Sequence, residues 1–379
     1  MIKKLIKYVL GIFFYIFRIF PINNKKICVI NFNGKGYGDN IKPIIEELII
    51  QNKQNEFYIV WLVAKKYDDI PKFIKQVKIK SLAAIYHLST SKIWINNHRF
   101  NTYVKKRKNQ FYIQTWHSSL RLKKIEGDAI NYLPPSYIEI AKHDSKMINL
   151  FTCGSLFSKK TYETSFWYDG EIFLCGTPKF DIYFRDESKK NVREKLLKKY
   201  NINSKKKIIL YAPTYRKDDN KFSGNLDFSF LKNDIDFENY VFLIRLHPNS
   251  KTILQLPEEV INVTDYSSIE ELLIACDMLI TDYSGCCFDA LVLKKPCILY
   301  VPDLKEYLLK ERNLYFDFEE LPFEKCSDLT SLKKKIHNFN YSKYLDKING
   351  FSKKIGLLEK GKASKMICER IEKEIYEKI

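Results

Sequence analysis

The sequence predicts an α/β protein built from two units, each with a doubly wound parallel sheet. Segments with strand character and segments with helical spacing alternate along the chain, as they do where crossover helices join parallel strands. The pattern starts again after a charged stretch at 185–207. The length of 379 residues also exceeds what one ordinary hydrophobic core holds, and it fits two domains of about 150–190 residues each.

The first predicted domain covers 23–182. It begins with a strand, a glycine-rich loop at 33–40 and a segment with helical spacing at 44–50. Short apolar runs of the kind that form strands lie at 26–31, 57–63, 92–97 and 110–115. We expect these strands to form one sheet, with helices between them.

The second predicted domain covers 205–350 and follows a hinge at 182–205. Its strand-like runs lie at 207–212, 241–246, 278–281 and 297–301, with a helix-like segment such as 268–276 between them. Two Rossmann-like halves that face each other across a cleft form the GT-B arrangement, which is the fold predicted here. The tail at 351–379 predicts one long basic helix that crosses back to the first domain.

The N-terminal segment, 1–22, predicts a helix that associates with a membrane. Its uninterrupted apolar run covers only 8–17, which is too short for a spanning helix of about 20 residues. The lysines before this run and Arg18 after it suit the headgroup region of an anionic leaflet. Two alternatives stay open, a short anchor that spans the bilayer and a helix that packs on the protein's own core.

Composition narrows the partners and the compartment. The formal net charge of +19 favours anionic partners such as phosphorylated substrates or acidic lipid. The lysines are spread along the chain rather than gathered in one basic arm, so no nucleic-acid partner is expected. The nine cysteines show no CxxC pair or zinc-type spacing, which indicates small buried residues in a reducing, cytoplasmic compartment. The sequence predicts no cofactor and, because it lacks an acidic cluster, no metal.

Small and polar residues in the loop at 33–40 form the first candidate for a ligand contact. The loop follows a strand and precedes a helix, so a ligand could approach the backbone at Gly38, with Asp39 and Asn40 beside it. The geometry of a tight turn, without any ligand, explains the same glycines equally well.

His117 follows the predicted strand at 110–115, where open α/β sheets bind their ligands. An imidazole there could take a proton from an attacking hydroxyl, because histidine titrates close to neutral pH. Asp128 could orient His117 or the acceptor. A histidine with a structural role in the loop is the alternative.

Cationic side chains lie at or just after the ends of two predicted strands of the second domain. Arg245 and His247 end the run at 241–246 and could neutralise a diphosphate and its leaving group. A solvated histidine at a strand end is the alternative for His247. Arg216, after the run at 207–212, is a further candidate for a phosphate contact.

The most specific pattern is the segment 277–289. An apolar strand ends there in hydroxyl side chains and Gly285, and a helix opens at about position 288. Thr281, Ser284 and the N–H groups at the start of that helix form a ready anion site. Capping of the helix by a hydroxyl is the alternative interpretation, but it accounts for only one of the hydroxyls.

Several segments between 30 and 317 follow one another in an order that is known from one family. They are Gly38-Asp39-Asn40, Trp116-His117, Gly176 through Asp181, Tyr211 through Thr214, His247-Pro248, Asp277 through Asp289 with Lys295-Pro296, Pro302 through Tyr307, and Tyr315-Phe316-Asp317. Together they resemble the CDP-glycerol:poly(glycerophosphate) glycerophosphotransferases, the primases and polymerases of wall teichoic acid and some capsules.

The resemblance implies a GT-B enzyme bound peripherally to the cytoplasmic face of the cell membrane. It implies CDP-glycerol or CDP-ribitol as donor, and a prenyl-diphosphate-linked saccharide or a growing polymer as acceptor. His117 would be the general base and His247 a second catalytic residue. Arg245, His247, Thr281 and Ser284 would hold the donor diphosphate.

The chain departs from the family's pattern at two positions. Ser118 stands where the family usually has glycine, which changes the shape of the acceptor site. Gly285 stands where a second serine is usual, which removes one possible phosphate ligand.

The predicted reaction is displacement at the donor's β-phosphorus by an acceptor hydroxyl, with release of CMP. The alternative enzyme is a GT-B glycosyltransferase or epimerase that uses a nucleotide-sugar. A binding protein for nucleic acid or lipid is a further alternative, and it predicts salt-sensitive association without turnover. The sequence does not distinguish glycerol from ribitol, or a single addition from a polymer.

Overall fold

The computed structural model describes residues 2–118, 120–214, 239–247, 256–257, 259–310 and 313–377. The chain divides into two compact units. The first takes in Met1–Ser119, Ile125–Asp181 and Leu357–Ile379, and the second takes in Leu120–Lys124 and Ile182–Gly356. The domain limits expected from the sequence, 23–182 and 205–350, stay a prediction.

The first unit is built on a sheet of seven parallel strands in the order β3-β2-β1-β4-β5-β6-β7. The strands are β1 (Asn23–Ile30), β2 (Tyr58–Val63), β3 (Lys75–Lys78), β4 (Ser91–Asn96), β5 (Phe111–Gln114), β6 (Leu150–Cys153) and β7 (Glu171–Leu174). The helices are α1 (Ile2–Ile16), α2 (Ile41–Ile50), α3 (Leu82–Thr90), α4 (Pro135–Ser145), α5 (Leu156–Ser165) and, at the end of the chain, α12 (Ala363–Tyr376).

Helices cover both faces of this sheet, as the apolar composition of its strands requires. Trp94 on β4 and Trp61 on β2 are both fully buried. Trp94 packs in one apolar cluster with Phe14 of α1, and Trp61 packs in another with residues of α2 and α12. The continuous apolar runs that predicted the strands therefore reflect burial on two sides.

The second unit is built on a sheet of six parallel strands in the order β10-β9-β8-β11-β12-β13. The strands are β8 (Lys207–Tyr211), β9 (Tyr240–Ile244), β10 (Val260–Asn262), β11 (Met278–Thr281), β12 (Cys297–Tyr300) and β13 (Glu324–Cys326). The described helices are α6 (Asp186–Lys199), α7 (Ile269–Ala275), α8 (Cys286–Val292), α9 (Leu304–Lys310), α10 (Leu329–His337) and α11 (Tyr341–Lys354).

Each sheet has one point at which the strand order reverses. It lies between β1 and β4 in the first sheet and between β8 and β11 in the second. Open α/β sheets bind ligands at the carboxyl ends of the strands beside such a switch point. Two doubly wound parallel α/β sheets are thus confirmed, and the cleft expected between the two halves stays a prediction.

The C-terminal tail is not the single helix predicted for 351–379. After α11, Gly356 (φ 59°) and Gly361 (φ 67°) take left-handed conformations that glycine adopts without strain, so the chain turns before α12. The Asp181 carboxylate accepts hydrogen bonds from the backbone N–H of Ala363 (3.0 Å) and of the next residue (2.7 Å). It thereby satisfies two N–H groups at the start of α12 and holds the tail in the first unit.

The N-terminal helix α1 has one packed side and one unpacked side. Phe14 is fully buried, and α1 lies against α3. Large apolar side chains are exposed at Leu5, Tyr8, Val9, Ile12, Tyr15, Ile16 and, just after the helix, Ile19. The packed helix that the sequence left as an alternative is therefore present, and an apolar surface remains. No helix within the described ranges is both long enough and apolar enough to cross a bilayer.

A buried ion-pair network lies next to the carboxyl ends of β4 and β5. Arg99 Nη2 is 2.7 Å from Glu126 Oε2, and Arg99 Nη1 is 3.2 Å from Asp144 Oδ2. Burial raises the pKa of the Asp144 carboxyl to about 6, although the Arg99 guanidinium opposes that change. The same guanidinium lies 5.2 Å from the centre of the Trp116 ring, so the network supports the residue that precedes His117.

Candidate active site

His117 lies three residues beyond β5, at the carboxyl edge of the first sheet, and is half-buried. Its Nδ1 is 3.1 Å from the backbone oxygen of Asn97, which follows β4. Because a carbonyl oxygen only accepts, Nδ1 carries the proton in this contact, and the neutral ring has its lone pair on Nε2. This is the tautomer that a general base acting through Nε2 requires.

A network of side chains holds Asn97 in place. Its Nδ2 donates to Asn31 Oδ1 (2.7 Å) and to Asp39 Oδ1 (2.9 Å), and its Oδ1 accepts from the N–H of Phe32 (2.8 Å). The network joins the carboxyl ends of β1 and β4, the two strands at the switch point. It therefore fixes the carbonyl that orients His117.

Asn40 supports the turn that carries His117. Its Nδ2 donates to the backbone oxygen of Trp116 (2.9 Å), and its Oδ1 accepts from the N–H of Lys179 (3.1 Å). Trp116 has a left-handed φ of 52°, which is uncommon for a bulky residue, and its N–H donates to Gln114 Oε1 (2.9 Å). Side chains on both sides of the turn thus maintain an unfavourable backbone conformation.

Replacing Asn40 by aspartate tests this support. The variant keeps the acceptor for Lys179 but loses the donor to Trp116 and sets a carboxylate against a carbonyl. Since a displacement of about 1 Å can reduce turnover roughly 10²-fold, we expect kcat to fall 10- to 100-fold with little change in donor affinity. Steady-state kinetics and donor titration measure the two quantities. The matched control is Asn55→Asp, on an exposed loop; equal losses in both variants would contradict the positioning role.

Asn97 and His98 are site residues that the sequence reasoning missed. The ring of His98 stacks on His117, with 6.1 Å between centroids and 20° between planes. Asn33 Nδ2 is 3.2 Å from His98 Nδ1, and since the amide nitrogen only donates, His98 carries its hydrogen on Nε2. Burial lowers the pKa of His98, so it is neutral at pH 7. The available signal was the polar run at 96–98 directly after an apolar strand.

Glycine occupies positions 34 and 38 of the loop at 33–40 for different physical reasons. At Gly34, φ is +90° and an added Cβ would lie 2.6 Å from the nitrogen of Ala64, so the turn itself requires glycine. At Gly38, an added Cβ would meet nothing within 4 Å. Packing therefore accounts for Gly34, whereas Gly38 leaves open space beside Asp39.

Asp128 lies in the short helix Glu126–Tyr132 and accepts a hydrogen bond from Ser165 at the end of α5. This contact ties the short helix to α5. The ring N–H of His117 donates to the backbone oxygen of Asn97, as described above, and a role for Asp128 toward His117 or the acceptor stays a prediction.

Arg245 and His247 directly follow β9, at the carboxyl edge of the second sheet. The N–H of Arg245 donates to the backbone oxygen of Tyr211 (2.9 Å), and its Nη2 donates to that of Tyr266 (3.4 Å). Partial burial and the charge of Arg245 lower the pKa of His247, so it is neutral at pH 7. An anionic ligand beside it would favour its protonation.

The side chain of Thr281, for which a phosphate contact is predicted, has a partner within the protein. It is fully buried, and its hydroxyl donates to the backbone oxygen of Ala212 at 2.6 Å. The next residue, Asp282, accepts from the N–H (2.9 Å) and the hydroxyl (2.6 Å) of Thr214. Both side chains tie the end of β11 to the segment after β8, across the switch point of the second sheet. They support the end of β11, and a phosphate contact by Thr281 stays a prediction.

Ser284 is the accessible hydroxyl of this segment. It is half-buried, and its Oγ accepts a long hydrogen bond, 3.4 Å, from the N–H of Cys286. Gly285 stands at the N-cap of α8 and is exposed, so the N-cap residue itself offers no capping side chain. A hydroxyl therefore reaches the start of the helix only through the long hydrogen bond from Cys286 to Ser284.

Asp277, in the 277–289 motif, and Lys295, after it, have structural roles that require no ligand. Arg193 binds both carboxylate oxygens of Asp277, at 3.3 and 3.1 Å, and Asp277 also accepts from the N–H of Ile208 (2.8 Å). Lys295 Nζ donates to the backbone oxygen of Cys276 at 2.6 Å, just after α7. These residues fasten α6 and α7 to the sheet.

Two predicted features fall outside what the structure describes. Arg216 and Pro248, the latter from the His247-Pro248 segment, lie outside the described residues. Among the residues that are described, no group of three or more His, Cys, Asp or Glu side chains is placed to hold a metal ion.

The fold has an oriented histidine at the carboxyl edge of its first sheet and an arginine, a histidine and a hydroxyl at that of its second. These features are those of a two-unit α/β enzyme with polar sites at its sheet edges. The family model described as CDP-Glycerol:Poly(glycerophosphate) glycerophosphotransferase matches residues 12–373. The chain therefore belongs to this family of transferases, as the sequence motifs predicted.

Individual relatives agree with the family assignment. The chain is 30% identical over 395 residues to a teichoic acid poly(glycerol phosphate) polymerase of Bacillus spizizenii, with 97% of each chain covered. It is 29% identical to a teichoic acid glycerol-phosphate transferase of Staphylococcus aureus, with 98% of each covered. The solved structure of the wall teichoic acid polymerase TagF superimposes with a TM-score of 0.86 at 26% identity, over 99% of this chain and 95% of that chain.

Proposed function

We propose that this protein transfers glycerol phosphate, or a related polyol phosphate, from a CDP-linked donor to a hydroxyl of a membrane-linked acceptor in teichoic acid or capsule synthesis. The observation that carries the proposal is the orientation of His117 by the Asn97 carbonyl at the switch point of the first sheet. Membership in the family supports the choice of donor.

His117 acts as the general base in this proposal. The acceptor hydroxyl gives its proton to Nε2 while its oxygen attacks the β-phosphorus, which carries the polyol. The bond from that phosphorus to the bridging oxygen breaks, and CMP leaves with the electron pair. A positioned base supplies roughly 10²–10⁴-fold of the acceleration in such steps. Gly38, Asp39 and Asn40 belong to the acceptor side, and Asn40 acts through the turn that it supports.

Arg245, His247 and Ser284 bind the donor diphosphate, and His247 favours departure of CMP. All three follow strands at the carboxyl edge of the second sheet, two of them after β9 and one after β11. A cation and two hydrogen-bond donors stabilise the charge that develops on the leaving phosphate. Arg216 is retained as a further phosphate ligand. The donor domain at 205–350 and the acceptor domain at 23–182, facing across a cleft, are part of the same proposal.

Supplying candidate donors one at a time tests the function. The protein is incubated with CDP-glycerol, CDP-ribitol or UDP-sugars, together with a synthetic prenyl-diphosphate disaccharide, and products are measured by mass. We expect CMP and a product heavier by one or more polyol phosphates. Release of UDP with sugar transfer would instead support the nucleotide-sugar alternative. One addition indicates a primase, and a ladder of products indicates a polymerase.

The exposed side of α1 is proposed to dock on the cytoplasmic leaflet. It combines the apolar residues named above with the cationic Lys7 and Arg18, as interfacial helices do. The run 105–108, Lys-Lys-Arg-Lys, adds positive charge close by, because Lys105 and Lys7 line the same groove. Anionic lipid attracts such a surface at about 1 kcal/mol per basic residue.

Replacing Ile12 and Ile19 by serine tests the docking surface. The two side chains are 41% and 77% exposed, and full burial of one such side chain contributes about 1.5–3 kcal/mol. We therefore expect binding to phosphatidylglycerol vesicles to weaken roughly 10- to 100-fold in a sedimentation assay. Leu309→Ser, at an 87% exposed leucine in the second unit, is the control that should bind as the parent does. Unchanged binding by the double variant would exclude this surface.

A further inference from the structure

The first unit contains a cavity next to the candidate base. Its volume of about 290 Å³ is near the lower end of small-molecule pockets, roughly 300–1,000 Å³. The deep walls are apolar and buried, and come from α1, β1, β2, α3 and the segment after β4. They include Phe14, Ile30, Leu62, Ala84, Leu88 and Phe100.

One edge of the cavity is polar and reaches solvent. Asn33 and Lys80 line it and are exposed, whereas the apolar walls are buried. His98 also lines this edge, hydrogen bonded to Asn33 and stacked on His117. The cavity is therefore amphipathic, with its polar end beside the residue proposed to activate the acceptor.

The apolar end of the cavity is continuous with the N-terminal helix. Phe14 forms part of the wall, while Tyr15 and Ile16, the next residues of the same helix, are exposed. The helix proposed to dock on the lipid surface therefore also forms a wall of the pocket.

We propose that this cavity holds the first isoprene units of the lipid-linked acceptor. The chain lies against the apolar walls, the diphosphate pairs with Lys80 at the exposed edge, and the saccharide extends past His98 toward His117. Three features of this acceptor match three features of the first unit. Its apolar chain matches the apolar walls, its diphosphate matches Lys80, and its hydroxyl matches His117. The proposal rests on the proposed function, since it names a subsite for that acceptor. The volume admits only the start of the chain, so the remainder extends outside the cavity.

The cavity is tested by filling it. Ala84 on α3 is 2% exposed and lines the cavity, and Ala84→Phe places a ring inside it. Ala83 on the same helix is exposed and does not line it, so Ala83→Phe is the matched control. Binding of a fluorescent farnesyl diphosphate to the full chain is followed by anisotropy. We expect Ala84→Phe to weaken binding about tenfold or more, with Ala83→Phe unchanged.

A second measurement uses kinetics and depends on the length of the acceptor's apolar chain. The preference in kcat/KM for a long-chain acceptor over the same saccharide diphosphate on a short alkyl chain should fall in Ala84→Phe and persist in Ala83→Phe. If Ala84→Phe does not fold, Ile140→Trp on α4, at a half-buried wall position, replaces it. Unchanged probe affinity in the folded cavity variant would overturn the proposal.

The two proposals fail differently. Suppose that no CDP-polyol yields CMP, but the probe binds the parent protein and binds Ala84→Phe more weakly. The prenyl pocket would then be supported and the proposed reaction would be contradicted. If phosphatidylglycerol competes as well as the prenyl diphosphate, the pocket is a general lipid site, and the commitment to the acceptor chain is overturned.

Discussion

Replacing His117 by alanine is expected to reduce kcat by roughly 10²–10⁴-fold, the contribution of a positioned general base. Donor affinity should stay close to that of the parent, because the proposed donor ligands Arg245, His247 and Ser284 belong to the second unit. The backbone turn should persist as well, since Asn40 and Gln114 hold its main-chain groups and not the imidazole. Stopped-flow turnover and calorimetric titration of CDP-glycerol measure the two effects.

His337→Ala is the control for the loss of a histidine. His337 is exposed at the end of α10, in the second unit, and takes no part in the proposed site. We expect parental turnover from it. A His117→Ala variant that kept near-parental kcat would show that the oriented imidazole is structural, and the acceptor would then need another base.

Replacing Arg99 by methionine is expected to destabilise the protein by about 3–5 kcal/mol, because it leaves the buried carboxylates of Glu126 and Asp144 without their cation. Domains are stable by only about 5–15 kcal/mol, so part of the variant should be unfolded at growth temperature. The folded fraction should also turn over more slowly, since the Arg99 guanidinium packs on Trp116. Chemical denaturation and kinetics on the folded fraction separate the two losses.

Arg370→Met provides the comparison within the same unit. Arg370 pairs with Glu171 (2.9 Å) and Glu374 (2.9 Å) in contacts that are partly exposed, and such pairs contribute about 0–1 kcal/mol. Adding Glu126→Gln and Asp144→Asn to Arg99→Met should recover part of the stability, because the carboxylates no longer need a cation. Equal free energies of unfolding for Arg99→Met and Arg370→Met would contradict the account of the buried network.

The sequence predicted the sheets and strand ends well because burial on both faces produces apolar runs that are visible without any contact information. His117, Arg245 and Ser284 could be selected as candidates because the carboxyl end of a parallel strand is where ligands bind. The turn at Gly356 and Gly361 was missed, since helical spacing continues on both sides of it. The tautomer of His117 could not be predicted, because it depends on a backbone oxygen, that of Asn97.

The 277–289 motif shows a different limit. Its residue types are those of an anion site, and Ser284 keeps that interpretation. Thr281 has the same hydroxyl chemistry, but this hydroxyl joins β11 to the segment after β8, as the Asp282 carboxylate also does. Which hydroxyl of a motif faces solvent depends on the neighbouring strand, and this is settled by packing rather than by spacing.

The central claim is that phosphate moves together with the polyol, and one measurement tests it most directly. CDP-glycerol labelled with ³²P at the β-phosphate is supplied with a lipid-linked acceptor, and the label is located after the reaction. Attack at the β-phosphorus with departure of CMP predicts that the label appears in the lipid product and that the released CMP is unlabelled. Recovery of the label in released CDP, with glycerol transferred alone, would contradict the account.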